Sequence, residues 1–392
     1  MSQVAVGAHG PLAGVRVVEL GGIGPGPFAA MLLADLGADV VRIQRPGDTR
    51  GAESPVLDRG RRSLAVDLKS AEGVEIVRDL ITRSDVVIEG FRPGVMERLG
   101  FDPATLRETN PALVVGRMTG YGQDGPLAQA AGHDINYISL SGALASIGRA
   151  GEPPAVPINL VGDFGGGGML LVVGVLAAVV NARATGVGQD VDTSMVEGSS
   201  LLMAMTHGFR ALGVWPGGRG ENLLDSGAPF YDTYACADGG YVAVGPIEPQ
   251  FYAELVDVLS EFAGSVDLSE LPVPGKHRDR ATWPAQRRIL AEAFATATRD
   301  EWAQRFEGRD ACVTPVLDLD EAQQHPHNVA RDAFVTDSAG VRHPAPAPRF
   351  SATPTRFPTP PPASGADTDD LLAELGRDEA TITRLRTEGV VA

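Results

Sequence analysis

Two side chains suited to moving protons stand out by their settings: His133 in AGHDINYISL (131–140) and Asp163 in NLVGDFGGGGMLLVVGVLAAVV (159–180). Both sit in apolar sequence. A polar group desolvated without a partner costs about 1–3 kcal/mol by protein mutational data, so such groups belong to a hydrogen-bonded network or to a reaction. Taken alone, His133 reads as a histidine satisfied within the fold. Three features turn the reading toward acid/base chemistry: Asp134, Asn136 and Tyr137 crowd it, Asp163 stands at a glycine-rich helix start, and Glu248 in VAVGPIEPQF follows a strand directly. A carboxylate that orients an imidazole serves proton transfer. The other histidines read as background. His325, His327 and His343 lie beside prolines, His9 is in the N-terminal segment and His277 is in a charged loop, all expected at the surface, while His207 is expected in a helix core.

Basic side chains collect where strands should end: Arg42 and Arg45, then Arg59, Arg61 and Arg62 in DRGRRSLAVDLK, then Arg92 and Arg98 in EGFRPGVMERLG. Ligands of open α/β sheets bind outside the carboxyl ends of the strands. In a chain of formal net charge −17, arginines gathered there read either as scattered solvated charges or as a pocket for a phosphorylated ligand, which the guanidinium fork grips with two hydrogen bonds. The loop GGIGPGPFAA contains Gly24-x-Gly26-x-x-Ala29, a loose dinucleotide pattern. Pro25 and Pro27 remove two amide donors from such a cradle, and the second strand ends in Arg42, Gln44 and Arg45 with no acid for a ribose. A structural strand-to-helix turn is the better reading.

The elements that must position these groups begin with short β-branched runs (15–20, 40–43, 85–88, 113–117) separated by helical stretches (28–36, 71–81), which implies a parallel sheet covered on both faces. Asp163 opens a long helix to about residue 184, followed by a strand at 189–192 and a methionine-bearing helix at 196–209. Met195, Met203 and Met205 there suit plain core or a flexible acyl-binding surface. The glycine-rich WPGGRGENLLD marks a linker, YDTYACADGGYVAVG a hairpin turning at Asp238-Gly239, and helices are expected at 249–259 and 284–297. The proline-dense stretch from His343 reads as an extended arm, ending in a helical tail from Asp367.

Composition bounds the class. A chain of 392 residues, 43% hydrophobic and 21% charged, exceeds what one core serves and folds as a globular two-domain protein. The net charge excludes a nucleic-acid surface. Two cysteines, Cys236 and Cys312, form no disulfide framework and suggest no metal site, in keeping with a reducing cytoplasm. The longest apolar run, Met169–Val180, has twelve residues, fewer than a membrane span needs, and no signal peptide is expected.

Long ungapped stretches carry a family resemblance across nearly the whole chain: PLAGVRVVELGGIGPGPFAAMLLADLGADVVRIQRP, DLKS, IEGFRPGVMERLG, RMTGYGQDGP, AGHDINY, NLVGDFGGG, GAPFYDTYACADGGYVAVG, EPQFY and CVTPVLDLDEA. With these the sequence resembles the α-methylacyl-CoA racemases of the family III CoA-transferase superfamily, and GHDINY points to the racemase branch.

The resemblance implies an α/β fold with a large doubly wound Rossmann-like domain plus a smaller α+β domain in an interlocked homodimer, its site formed between the large domain of one subunit and the small domain of the other. The domains would be residues 1–212 (large), 213–226 (linker), 227–318 (small) and 319–392 (return to the large domain). It also implies His133 and Asp163 as the acid/base pair, Glu248 contacting the histidine, and CoA contacts at Arg45, Asp67, Leu68, Lys69, Gly90, Phe91, Arg92 and Arg98. Asp134 and Tyr137 beside the histidine are expected among the substrate-binding residues, with backbone amides around Asp134 and of the glycine-rich helix start binding the enolate oxygen. No cofactor or metal is expected, CoA being part of a 2-methylacyl-CoA substrate, and the partners implied are that substrate and a second copy of the chain. The runner-up is CoA transfer, in which Asp163 attacks the thioester carbonyl, expels CoA thiolate and carries an acyl anhydride. That chemistry needs no histidine opposite, so His133 discriminates between the two. A noncatalytic CoA-binding protein would gain nothing from the pair. The tail DTDDLLAELGRDEATITRLRTEGVVA is closer to other superfamily members, transferases included.

Overall fold

The computed structural model describes residues 10–48 and 54–392; His9 lies outside the described residues. Six strands, β1 (Arg16–Leu20), β2 (Asp39–Gln44), β3 (Arg62–Ala65), β4 (Val86–Glu89), β5 (Val114–Thr119) and β6 (Asp190–Ser194), form one sheet in the order β3-β2-β1-β4-β5-β6. All neighbours are parallel. This is the doubly wound order whose direction reverses between β1 and β4, the switch point where such sheets open a crevice. The valine and isoleucine runs of the inner strands are buried on both faces, as a parallel sheet between helical layers requires. The edge strand β3 was not foreseen. It is four residues long, and Arg62 at its start with Arg61 just before it disguises it as a charged loop.

One face carries the helix Pro25–Asp35, which starts with Pro25 pre-set for the first turn, and a long helical stretch from Leu160 to Thr185. The other carries the helix Ala71–Thr82, capped by Ser70, and the helices Thr368–Glu374 and Glu379–Thr387. The C-terminal tail is therefore core. Leu371, Leu372 and Leu385 are fully buried against Leu64, Ile76 and Leu80, and Val391 bridges to Val66.

The apolar run at residues 169–180 is part of a continuous 26-residue helical stretch, Leu160–Thr185, which is long and apolar enough to cross a membrane by length and composition. It starts three residues before Asp163, where the helix start was expected, and its first ten residues form π-helical turns that the glycine run did not announce. Its inner side, with Leu171, Val175 and Ala178, packs into the core, while Leu160, Met169, Val173 and Val180 stay exposed.

The chain divides into two compact units, residues 1–141, 158–202 and 326–392 in the first and residues 142–157 and 203–325 in the second. The boundary expected at residue 212 falls at 202/203, where the methionine-bearing helix breaks at Met203 into Met195–Leu202 and Ala204–Ala211. Within the second unit, Arg149 pairs with Asp232 at 2.7 Å and Arg219 reaches the carbonyl of Ala145, which ties in the segment 142–157. The expected linker is a loop organised by buried Asn222, whose amide donates to Gly218 and Asp225 at 2.7 Å each. Three antiparallel strands, β7 (Asp232–Ala235), β8 (Tyr241–Val244) and β9 (Val313–Pro315), pack with the helices Pro249–Phe262, Trp283–Phe294 and Arg299–Phe306 around Phe230, Tyr252, Phe294 and Trp302. The hairpin turns at Asp238-Gly239 as expected, with Gly239 at φ 83°.

Candidate active site

Two adjoining clefts open at the carboxyl ends of β1, β2, β4 and β5 in the first unit, sharing Gly22, Ile23, Gly24 and Phe91 in their walls. The first has a volume of about 850 Å³ and is lined by Arg45, Asp67, Leu68 and Lys69, with Phe91 at the junction. The second, of about 700 Å³, is lined by Gly90, Arg92, His133, Tyr137, Asp163 and Met195. His133 and Asp163, separated in sequence, thus share one cleft, and most of the expected CoA residues line the two. Arg98 lines neither; it is exposed at the end of the short helix Val95–Arg98. Glu248 belongs to the second unit, exposed at the N-cap of the helix Pro249–Phe262.

Asp163 is held from several sides. Its backbone N–H donates to Asp134 Oδ1 at 2.7 Å, and its Oδ2 accepts from Asn159 Nδ2 at 3.1 Å. Gly24, at φ 67°, lies so close that a Cβ there would be 2.9 Å from the same carboxylate oxygen. Burial raises the Asp163 pKa above the ordinary aspartate value, and the charge of Asp134 adds to the rise. The Asn159 hydrogen bond and the charge of His133 oppose it. Asn159 was missed in the sequence, although its place four residues before Asp163 on a helical stretch was the signal available.

His133 is the N-cap of the helix Asp134–Leu140, its N–H accepted by Asn136 Oδ1 at 3.0 Å. The imidazole is exposed, not set among apolar groups as its sequence neighbours implied. Those apolar neighbours face elsewhere, because a capping residue stands at the helix end and not on its buried face. Asp134 and Tyr137 are the buried members of the motif. Burial first, then the charges of Tyr121, Asp163 and Asp134, push the Tyr137 hydroxyl up to about 12; it donates to the Gly132 carbonyl, and the residue lines the second cleft.

Of the arginines read from charge, four are structural. Arg59 pairs with Asp35 at 2.6 Å, Arg61 with Glu19 at 2.6 Å, Arg42 with Asp58 at 2.5 Å and Arg62 with Glu374 at 2.7 Å. Arg45, Arg92 and Arg98 are exposed and pair with no acid among the described residues, as a site for anionic phosphates requires. Met195 lines the second cleft, whereas Met203 and Met205 lie in the second unit and Met205 is exposed.

Three histidine expectations are corrected. His343 is fully buried, its Nε2 2.8 Å from Asp337 and its Nδ1 3.4 Å from Arg59. His277 is fully buried in the second unit, stacked on Tyr252. His207 is exposed, since the helix Ala204–Ala211 buries none of its residues. Each miss has one cause: flanking residue types report local propensity, while long-range partners decide burial. Among the described residues, no group of three or more His, Cys, Asp or Glu side chains could hold a metal ion. Both cysteines are free, Cys236 buried and Cys312 exposed.

The chain is similar over almost its full length to proteins of known name. It is 46% identical to the alpha-methylacyl-CoA racemase of Mus musculus and 44% identical to that of Homo sapiens, each over 382 residues covering 97% of both chains. Among solved structures, a CAIB/BAIF family protein from Brucella suis matches with a TM-score of 0.79 at 26% identity, covering 94% of this chain and all of that one. The sequence pattern of CoA-transferase family III matches residues 12–368, and the chain belongs to that family.

Proposed function

We propose that this protein is a 2-methylacyl-CoA epimerase, an isomerase that moves the α-proton of the thioester between the two faces of its α-carbon. The observation that carries the reading is the convergence of His133 and Asp163 in the second cleft, next to the first cleft bearing Arg45 and Lys69; identity of 44–46% to two racemases over nearly the whole chain supports it. The α-proton of a thioester is far less acidic than any side chain, so its removal requires a held base and a stabilised enolate. Asp163, its pKa raised by burial, takes the proton from one face as its carboxylate becomes a carboxylic acid. His133, protonated, returns a proton to the other face, and proton exchange of both side chains with water restores the starting pair. Asp163 N–H already serves Asp134. The enolate oxygen is therefore assigned to the Asp134 N–H, in the first turn of a helix where no intrahelical acceptor exists.

Arg45, Asp67, Leu68, Lys69, Gly90, Phe91, Arg92 and Arg98 are proposed to hold CoA, and Tyr137 to wall the acyl site. Glu248 is proposed to orient the imidazole, an assignment resting on the family resemblance. No cofactor takes part in this scheme. We further propose a homodimer, supported by the exposed apolar side chains Leu160, Val173, Val180, Leu201 and Leu202, and a cytoplasmic setting, in keeping with the two free cysteines.

The test is incubation of a single epimer of a 2-methylacyl-CoA in deuterated water. Deuterium entering the α-carbon with loss of stereochemical purity, and with no acceptor acid added, is expected. CoA passing to an added carboxylate without exchange would mean instead that Asp163 forms an acyl anhydride.

A further inference from the structure

The carbonyl oxygen of Ile247, the residue immediately before Glu248, is met by three donors from one loop. His277 Nε2 lies 2.9 Å away, Arg278 Nη2 3.0 Å and Arg278 Nε 3.2 Å. Three donors on one carbonyl exceed its two lone pairs, so this is more than routine satisfaction of a loop. The histidine is itself fixed. Its Nδ1 accepts from the Gly275 N–H at 3.2 Å, which leaves the proton on Nε2, where it can donate. Its ring stacks on Tyr252 at 4.2 Å with 8° between planes, and its carbonyl accepts from Gln286 Nε2 at 2.9 Å. Gln286 Oε1 in turn faces the Tyr252 hydroxyl at 3.2 Å. Tyr252 closes the ring at the other end, because its N–H donates to the Glu248 carbonyl at 3.0 Å. Burial lowers the His277 pKa, in keeping with the neutral imidazole this pattern needs. His277, Tyr252 and Gln286 are all fully buried. Glu248 itself is exposed and caps its helix without a side-chain hydrogen bond.

We infer that His277 and Arg278 are positioning residues: they clamp the Ile247 carbonyl and so fix the backbone from which Glu248 projects its carboxylate. The proposal rests on the reading that Glu248 orients the His133 imidazole. A free carboxylate on an unrestrained backbone would spend its binding energy on ordering, whereas one held by a buried ring is pre-organised for its partner. Arg278 supplies two of the three contacts from the exposed side, so its removal loosens the clamp while the buried His277–Tyr252–Gln286 ring still holds the fold.

The test measures kcat and KM for α-proton exchange of a single-epimer 2-methylacyl-CoA with four full-length proteins: wild type, Arg278→Ala, Glu248→Gln and the double variant. Arg278→Ala is expected to lower kcat about tenfold with KM changed less than about twofold, and the double variant to be no slower than Glu248→Gln by more than about twofold. Arg278→Lys, which restores one donor, is expected to recover part of the rate. If Glu248→Gln is slow but Arg278→Ala leaves kcat intact, or if the two losses multiply, the clamp is overturned while the role of Glu248 stands. If Glu248→Gln leaves kcat intact, the orienting role fails and the clamp fails with it.

Discussion

At the level of single residues, the site depends on contrasts of environment. Asp163 is half-buried with a raised pKa, and His133 is exposed at a helix end in the same cleft. Asp163→Asn and His133→Gln are each expected to slow α-proton exchange by about 100-fold or more, with KM for the CoA thioester changed only a few-fold, as steady-state kinetics in deuterated water would measure. A second carboxylate was not foreseen. Glu89 ends β4 fully buried, accepts from the Phe91 N–H at 2.7 Å, and burial pushes its pKa up to about 7 from the ordinary 4.5. The folded state therefore binds a proton more tightly than the unfolded one, and stability falls as pH rises from 4.5 toward 7. The penalty, on the order of 3 kcal/mol from a shift of that size, is complete above pH 7. Glu89→Gln keeps an acceptor for Phe91 and is expected to remove most of that slope, as denaturant titrations at about pH 5 and about pH 8 would read. The His133 and Asp163 pair was legible because the types themselves carry chemistry. The burial of Glu89, His277 and His343 was not, since each depends on neighbours distant in sequence.

The elements explain why Asp163 is presented where it is. The π-helical turns Leu160–Met169 cross the helix Met195–Leu202 with almost no separation: a Cβ on Gly198 would stand 1.9 Å from the Gly166 carbonyl oxygen, a backbone atom that cannot swing aside. Gly198→Ala must push the two segments apart and carry Asp163 with them. A misplacement of about 1 Å costs roughly 100-fold in rate, and overpacking costs about 1–3 kcal/mol. Exchange kinetics and a urea melt on the same variant would register both. The glycine run was read in the sequence as a helix start; that it is also the contact surface for another helix became visible only with both segments in place. Similarly, the cluster Arg59, Arg61 and Arg62 showed its charge plainly, but its partners Asp35, Glu19 and Glu374 lie far off in the chain. Charge without its partner cannot separate a phosphate site from an ion pair.

For the whole molecule, the C-terminal tail belongs to the first unit's core. Leu371, Leu372 and Leu385 cover Leu64, Ile76 and Leu80, and Thr368 Oγ1 donates to the carbonyl of Ala392 at 2.7 Å. Ending the chain after residue 366 would expose that face, each buried leucine being worth about 1.5–3 kcal/mol, against a total stability of about 5–15 kcal/mol. The truncated chain is expected to lose its cooperative unfolding transition, followed by circular dichroism in urea. The alternation of β-branched runs with helices, the hairpin at Asp238-Gly239 and the choice of His133 and Asp163 as the candidate pair were all read from the sequence alone, because each rests on local period or intrinsic chemistry. The tertiary structure alone decided that His133 stands exposed while His277 and His343 are buried, that Arg45 pairs with no acid among the described residues while Arg59 and Arg61 are neutralised, and that the tail closes the core. Those outcomes turn on desolvation and long-range pairing, which exist only once segments distant in the chain have come into contact.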